Sequence, residues 1–410
     1  MPAVIVNLDY VKEKNTSAVF KAIVEHGAIS RIQIARTCLL AAGSVTRITR
    51  LLLENGLIQE VESQSHERGR PSVLLVARKQ SLHILTISAD RHHIHYGLCD
   101  LSGELLAEHK EPLQATQSDE FLQQIIQSTQ TFIQQHSQLT RQLIGIGITT
   151  PGLVHSETGV VHSMPHLQTY GLPLADRLKQ ATGLPCFVGN FSSAITLAEH
   201  QLTPHNPCRN SLLVSIHNGV GAGMILDGRL YEGSALTAGE IGHIQIDPLG
   251  PRCYCGNFGC LESYISNSAL EQQCHQQVQA GSPTSLPDNA TITDICNAAN
   301  QGDELARSLI TNAAARLGKV LAMCTNLLNP EKIILAGEIT ESFSLIEPVI
   351  RMTLQRQTVS FVGEKDIQLS VSACYNRRWL AAYALMRRAL LEQGLLLEIL
   401  NKKALPIAAP

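Results

Sequence analysis

One histidine and three cysteines fall within eighteen residues: His243, Cys253, Cys255 and Cys260. Thiolate sulfur and imidazole nitrogen are donors that zinc takes in closed tetrahedral sites. Four of them leave no position for water, so the spacing predicts structural rather than catalytic zinc. Gly256 and Gly259 would allow the tight turns such a loop needs. The run opens as Gly239-Glu240-Ile241-Gly242-His243 and closes as Leu261-Glu262. The metal would therefore fix a loop flanked by Glu240, His243 and Glu262. Two carboxylates and an imidazole can exchange hydrogen bonds with sugar hydroxyls, and the second ring nitrogen of His243 would remain for that purpose.

A second group lies near the start of the chain. Val45, Ile48 and Leu52 recur at helical spacing, and the opposite face carries Ser44, Thr46, Arg47, Thr49 and Arg50. That face has no carboxylate before Glu54. A helix in the major groove of double-stranded DNA needs such a surface, with arginine for guanine edges and hydroxyls for phosphates. Further on, Arg68-Gly69-Arg70-Pro71 suits a narrow A·T-rich minor groove, where glycine lets the backbone sit deep while Arg68 and Arg70 insert.

These residues need elements to carry them. Asn15 or Thr16 is expected to cap a first helix with Val19, Phe20, Ile23 and Val24 on one face, ended by Gly27. Ser30 is expected to cap a second helix, with Ile34, Ala35 and Cys38 inward. A third runs over 44–55. Two short strands over 57–61 and 72–76 flank a polar tip at 62–71. Three helices and a hairpin make a winged helix-turn-helix over 1–80. From about Leu82 the pattern becomes α/β: strands over 82–88, 143–149, 186–189, 212–217 and 332–336 alternate with helices over 119–136, 174–182, 194–201, 304–328 and 377–391. A Pro/Ser/Asn-rich loop is expected around 279–293.

The 410 residues allow two or three domains, and 44% apolar content is enough for real cores. Residues 1–80 hold eleven Lys/Arg and seven Asp/Glu, a balance of +4 against −7 for the rest, as befits a small nucleic-acid-binding head on an acidic body. No apolar run approaches the roughly 18 residues of a membrane span, and no leader is legible, so a cytoplasmic protein is expected. Eleven scattered cysteines without such a leader point to reduced thiols rather than a disulfide framework.

Taken together, the zinc run, Thr150-Pro151-Gly152-Leu153, Gly189-Asn190, Gly219-Val220-Gly221-Ala222-Gly223 and Asn329-Pro330-Glu331-Lys332 resemble the ROK family of repressors and sugar kinases. The head, with Ser30–Ala35 and Ser44-Val45-Thr46, is similar to the repressor branch. The resemblance implies a two-lobed, actin-like body after the head, with lobes over 81–200 and 201–376 and a C-terminal helix over 377–400 returning to the first. It implies sugar ligands at Gly152, Asn190, Glu240, His243 and Glu262, and zinc on His243, Cys253, Cys255 and Cys260. A homodimer or homotetramer on a palindromic operator is the usual form there.

The departures are specific. Kinases of this family carry Asn-Asp, whose aspartate deprotonates the sugar hydroxyl; here Asn190 precedes Phe191, which accepts no proton. Their first phosphate loop is glycine-rich; the matching stretch is Ser88-Ala89-Asp90-Arg91-His92. The second, Gly219–Gly223, is preserved, and serves equally as a turn between strands. Pro165-His166 stands where a Pro-Asn pair often contacts sugar, and His166 offers a donor for a phosphate or acetamide. The resulting expectation is a kinase-inactive repressor of carbohydrate genes, answering to an amino-sugar or glucose-related sugar or sugar phosphate. Two alternatives stand beside it: a residual kinase, and control by a phosphotransferase-system protein. For the latter, amphipathic 387–400 offers Leu390, Leu391 and 395–397, either to a partner or to the core.

Overall fold

The structure is a computed structural model and describes residues 8–62, 73–164, 167, 169–203, 208–359 and 367–401. The chain opens with α1 (Leu8–His26), β1 (Ile29–Ser30), α2 (Arg31–Thr37), α3 (Ala42–Glu54), β2 (Ile58–Glu62) and β3 (Val73–Ala77). The strands form an antiparallel sheet in the order β1-β3-β2, so the expected winged helix-turn-helix gains a short third strand. Ser30 caps α2 as expected, and Gln33 closes a capping box with it: two backbone donors are satisfied reciprocally. Gly27, at φ +70°, lets the chain leave α1. Phe20, Ile23, Ile34, Val45 and Leu52 fill the small core.

Two local expectations are corrected. Neither Asn15 nor Thr16 caps α1, which starts at Leu8. Thr16 is buried inside it and donates its hydroxyl to the Lys12 carbonyl at 2.7 Å, the back-bond that lets threonine sit mid-helix. Thr49 does not lie on the outward face of α3. It is fully buried, and its Oγ1 accepts from Arg31 Nε at 3.2 Å.

Beyond the head come β4 (His83–Ala89), β5 (His93–Asp100), β6 (Leu105–Pro112), α4 (Ser118–Gln135), β7 (Leu143–Thr150), β8 (Leu153–His155), β9 (Val160–Ser163), α5 (Leu174–Thr182) and β10 (Cys186–Asn190). Then follow α6 (Phe191–Leu202), β11 (Ser211–Ile216), β12 (Val220–Leu226), β13 (Arg229–Tyr231), α7 (Glu262–Ile265), α8 (Asn267–Gln279), α9 (Ile292–Gln301), α10 (Glu304–Leu328), β14 (Lys332–Ala336), α11 (Phe343–Gln357), β15 (Gln368–Val371), α12 (Trp379–Glu392) and α13 (Leu395–Asn401). The Pro/Ser-rich stretch joins α8 to α9.

Two five-stranded sheets repeat one winding. In the first, β4 pairs antiparallel with β5, which pairs with β6, and β4 runs parallel to β7; the order is β10-β7-β4-β5-β6. In the second, β11 takes β4's place, in the order β13-β12-β11-β14-β15. That duplicated plan is the actin-like body. Fully buried strands read as apolar runs, hence their legibility in sequence. Leu212, Val214, Ile333 and Leu335 of the second sheet pack on Leu317, Val320 and Leu321 of α10 and Ile346 and Ile350 of α11.

The chain divides into two units. One comprises 1–152, 156–189 and 382–410; the other comprises 153–155 and 190–381. The head and the first sheet thus group together, and the second boundary falls at 189/190 rather than 200/201. The reason is α6. Gly221 and Gly223 of β12 let this helix lie close: a Cβ on Gly223 would stand 2.2 Å from Thr196 Oγ1 and 2.8 Å from the Ser192 carbonyl oxygen. Gly223→Ala is therefore expected to lower stability by about 1–3 kcal/mol, the usual cost of overpacking. A denaturant midpoint equal to wild type would contradict this account of β12.

In the first unit, Leu390, Leu391, Leu395 and Leu396 are buried, so these leucines belong to the core. Close to them, the end of α12 binds the head. Glu392 accepts from Lys21 Nζ at 2.6 Å, its carbonyl oxygen accepts from Lys14 Nζ at 3.1 Å, and Arg387 lies 3.7 Å from Glu25. Among the described residues no helix is long and apolar enough to cross a membrane.

Candidate functional site

The four predicted metal ligands converge. One donor atom from each of His243, Cys253, Cys255 and Cys260 lies within 4.8 Å of all the others. Cys255 Sγ and Cys260 Sγ are 3.8 Å apart, and Cys253 Sγ is 3.5 Å from His243 Nδ1. A tetrahedron with Zn–S near 2.3 Å and Zn–N near 2.0 Å has edges of about 3.5–3.8 Å, so the donor set fits zinc. None of the eleven cysteines is in a disulfide. Without a cation, burial and the neighbouring thiols push Cys260 up to about 12; a metal would reverse that preference.

Backbone hydrogen bonds shape the loop around this point. Cys253 N–H donates to the Asn257 carbonyl at 2.7 Å, and Ile246 N–H donates to the Gly259 carbonyl at 2.8 Å. Gly259, at φ +63°, has no room for a side chain, because a Cβ would lie 1.5 Å from the Asp247 carbonyl oxygen. Tyr264 donates to Asp247 Oδ2 at 2.9 Å, with the Arg316 guanidinium 4.0 Å from its ring centre.

The flanking carboxylates are held by β12. Gly239 and Gly242 approach this strand backbone to backbone: added Cβ atoms would stand 2.0 Å from the Ala222 and 2.2 Å from the Val220 carbonyl oxygens. Glu262 is buried and its Oε2 accepts from Val220 N–H at 2.7 Å. Burial pushes the Glu262 carboxyl up, against that hydrogen bond, and desolvation raises Glu240 as well. His243 turns Nδ1 toward the cysteine cluster, 3.5 Å from Cys253 Sγ. Its Nε2 lies 3.0 Å from the Tyr254 hydroxyl and 3.9 Å from Glu240 Oε2. The ring nitrogen expected to remain for a sugar thus already has a tyrosine partner, which sequence reasoning missed although Tyr254 sits between two ligands.

Asn190 acts as a helix cap. Its Oδ1 sits at the start of α6, accepting from Ser192 N–H at 2.8 Å and Ser193 N–H at 3.4 Å. Gly152 belongs to the other unit, at φ +87°. Pro165 and His166 lie outside the described residues.

The ROK family profile matches residues 84–387. The chain belongs to the ROK family. It is 40% identical over 393 residues to the DNA-binding transcriptional dual regulator NagC of Escherichia coli K12, covering 96% of each chain. It is 35% identical to the DNA-binding transcriptional repressor Mlc of the same organism, over 96% of this chain and 98% of that one. A solved ROK family transcriptional regulator, described as a homologue of E. coli Mlc, superposes with a TM-score of 0.88 at 37% identity, over 95% of this chain and 99% of its own.

The two stretches that match ROK phosphate loops are both turns between strands. Ser88–His92 closes the β4–β5 hairpin, with Asp90 Oδ1 accepting from the backbone of His92 at 2.7 Å and His93 at 2.8 Å. Gly219 turns β11 into β12 beside Glu262, and Gly221 and Gly223 admit α6.

On α3, Thr46, Arg47 and Arg50 are exposed and Ser44 is half-buried. Arg31 braces α3 by bonding Thr49 and, at 2.7 Å, Glu60 of β2. Arg68 and Arg70 lie outside the described residues.

A polar cluster in the second unit went unread in the sequence. Glu338 follows β14, and its Oε2 lies 2.8 Å from His217 Nδ1 and 2.9 Å from Asn267 Nδ2. Tyr375 donates to its Oε1 at 3.1 Å, and Arg378 stands 3.7 Å away. Burial would raise Glu338, but the hydrogen bonds and the charge of His217 outweigh it and hold the carboxyl at about 2.

Proposed function

We propose that this ROK protein is a sugar-responsive transcriptional repressor of carbohydrate uptake or catabolism genes. In this reading α3 enters the major groove of operator DNA with Ser44, Thr46, Arg47 and Arg50, and Arg68 and Arg70 reach the minor groove. Asn190, Glu240, His243 and Glu262 receive an amino-sugar or glucose-related effector. Zinc on His243, Cys253, Cys255 and Cys260 is structural: it ties the loop bearing Glu240 to α7, which begins at Glu262. The observation that carries the reading is the full-length likeness to DNA-binding regulators, which includes the head and not only the ROK body.

The effector must bind one arrangement of the protein better than another, because equal affinity shifts no equilibrium. A homo-oligomer with paired heads fits a palindromic operator. Kinase chemistry has no base here: Phe191 cannot take the proton, and Asp90 is bound to its own hairpin. A coupled assay with ATP and hexoses is expected to stay at background; turnover above that of a Glu262→Ala variant would overturn this part.

Retention of fragmented genomic DNA tests the main reading. Purified, zinc-loaded protein is expected to enrich A·T-flanked palindromes upstream of sugar-uptake or catabolic genes. Enrichment no greater than that of the Arg47→Ala, Arg50→Ala double variant would sink it.

A further inference from the structure

The turn from β4 to β5 is rich in histidine: Asp90-Arg91-His92-His93-Ile94-His95. His93 and His95 alternate along β5, so their side chains leave the same face of the first sheet. Asp90 stands between them. Its Oδ1 is 3.9 Å from His93 Nδ1, and its Oδ2 is 3.5 Å from His95 Nε2. Oδ1 also accepts from the backbone N–H groups of His92 and His93, which fix the carboxylate's direction. The Asp90 side chain is 15% exposed, while those of His93 and His95 are 40% and 29% exposed. A seated carboxylate thus lies between two rings that solvent reaches.

Both contacts are longer than a hydrogen bond. They come close to a different distance. Donors at about 2.0–2.1 Å from one tetrahedral metal are about 3.3 Å apart, and two imidazoles on it have ring centres about 5 Å apart. The His93 and His95 ring centres are 6.1 Å apart, with the rings edge to face. Bringing all three donors to one ion takes a closure of about 1 Å. Rotation of the two exposed rings supplies that closure without moving the backbone.

Charge and donor type decide which ion fits. Lys110 lies opposite His95 on β6 and offsets the charge of Asp90. Little attraction is left for a hard cation such as magnesium or calcium, which needs several oxygens. Two nitrogens and one oxygen suit the late first-row ions, for which imidazole is a strong donor. We propose that Asp90, His93 and His95 form an open site for a late first-row divalent cation, zinc or nickel, with water in the remaining positions. The site is distinct from the cysteine cluster, which belongs to the other unit, and it does not depend on the sugar-responsive reading. With three donors and exposed rings it exchanges its ion on dilution, whereas the four-donor cluster retains zinc.

Competition with a chromophoric chelator on the untagged, zinc-loaded full chain tests the site, with zinc, nickel and cobalt as probes. One further ion per chain is expected to bind with a dissociation constant below about 100 µM, and a large excess of magnesium or calcium is expected not to displace it. The cobalt complex is expected to lack the near-ultraviolet thiolate-to-metal band, which places the ion away from the cysteines. His93→Ala and His95→Ala are each expected to weaken binding at least about 10-fold, since even a residue that only orients a ligand contributes roughly 10–100-fold. Asp90→Asn keeps an acceptor for the two backbone N–H groups but loses the charge, and is expected to weaken binding as much. His92→Ala is expected to stay within about 3-fold of wild type; retained tight zinc and a cooperative melt identify folded variants. No further ion bound at about 1 mM, a thiolate band in the cobalt spectrum, folded His93→Ala and His95→Ala variants that bind like wild type, or a loss in His92→Ala as large as in His95→Ala would overturn the proposal.

Discussion

With Arg47 and Arg50 both replaced by alanine, affinity for the protein's own operator is expected to fall at least about 30-fold, with no loss of thermal stability. Two arginines paired to guanine edges contribute roughly 1–3 kcal/mol each, and losing both gives at least that factor. Both side chains are exposed on α3, so their removal leaves the head's core untouched. The salt dependence separates readout from simple attraction. If an arginine reads a base, substitution relaxes specificity at one position of each half-site; if it neutralises a phosphate, the slope of log affinity against log salt drops by about 0.9 per contact. Gel-shift or anisotropy titrations at two salt concentrations measure both. A loss under about 3-fold on the genomic operator would remove α3 from the interface.

Removing zinc is the second large perturbation. The purified chain is expected to carry one zinc per protomer, and chelation or Cys260→Ser is expected to lower the melting temperature by roughly 5 °C or more. Zinc-finger peptides draw about 10–16 kcal/mol from such a site. Here the second sheet has its own core, so the loss centres on the loop between Glu240 and Glu262. Cys255→Ser is expected to abolish the effector response while operator affinity without effector stays within about 3-fold of wild type, because the ligand cluster and the head belong to different units. Elemental analysis, a melting curve and operator titration with and without sugar check these statements. A normal effector response in a zinc-free variant would rule out the structural role.

The parts legible in sequence are those set by local chemistry. Ser30 followed three residues later by Gln33 gives a cap that its own neighbourhood satisfies. His243 and the three cysteines lie close enough in sequence that ligand type and spacing define the metal site. The burial of Thr49 is legible in the spacing, because Val45, Ile48, Thr49 and Leu52 follow the i, i+3, i+4, i+7 pattern of one helix face, and only its hydroxyl disguises it; its partner Arg31, on α2, is not. The start of α1 escapes because a threonine that looks like a cap bonds back to Lys12. The Glu338 cluster has no local sign. Its partners His217, Asn267 and Tyr375 stand 121, 71 and 37 residues away; the parallel ladder of β11, β14 and β15 gathers His217 and Tyr375, and Asn267 joins from the start of α8 through its N–H bond to the His217 carbonyl. A glutamate directly after Gly337 at the end of a buried strand is the one hint the sequence offers.

Helix α12 has a mechanical consequence. It starts at Trp379, the residue after Arg378, and ends at Glu392, where Lys14 and Lys21 of the head are fastened. Fourteen residues at 1.5 Å rise make a stiff rod about 21 Å long. A rod has no slack. The polar contacts at its last turn grip α1 rather than a flexible tether. Within its unit the head is thus bolted to a stiff member, and it can tilt only by breaking those pairs or by carrying the helix with it.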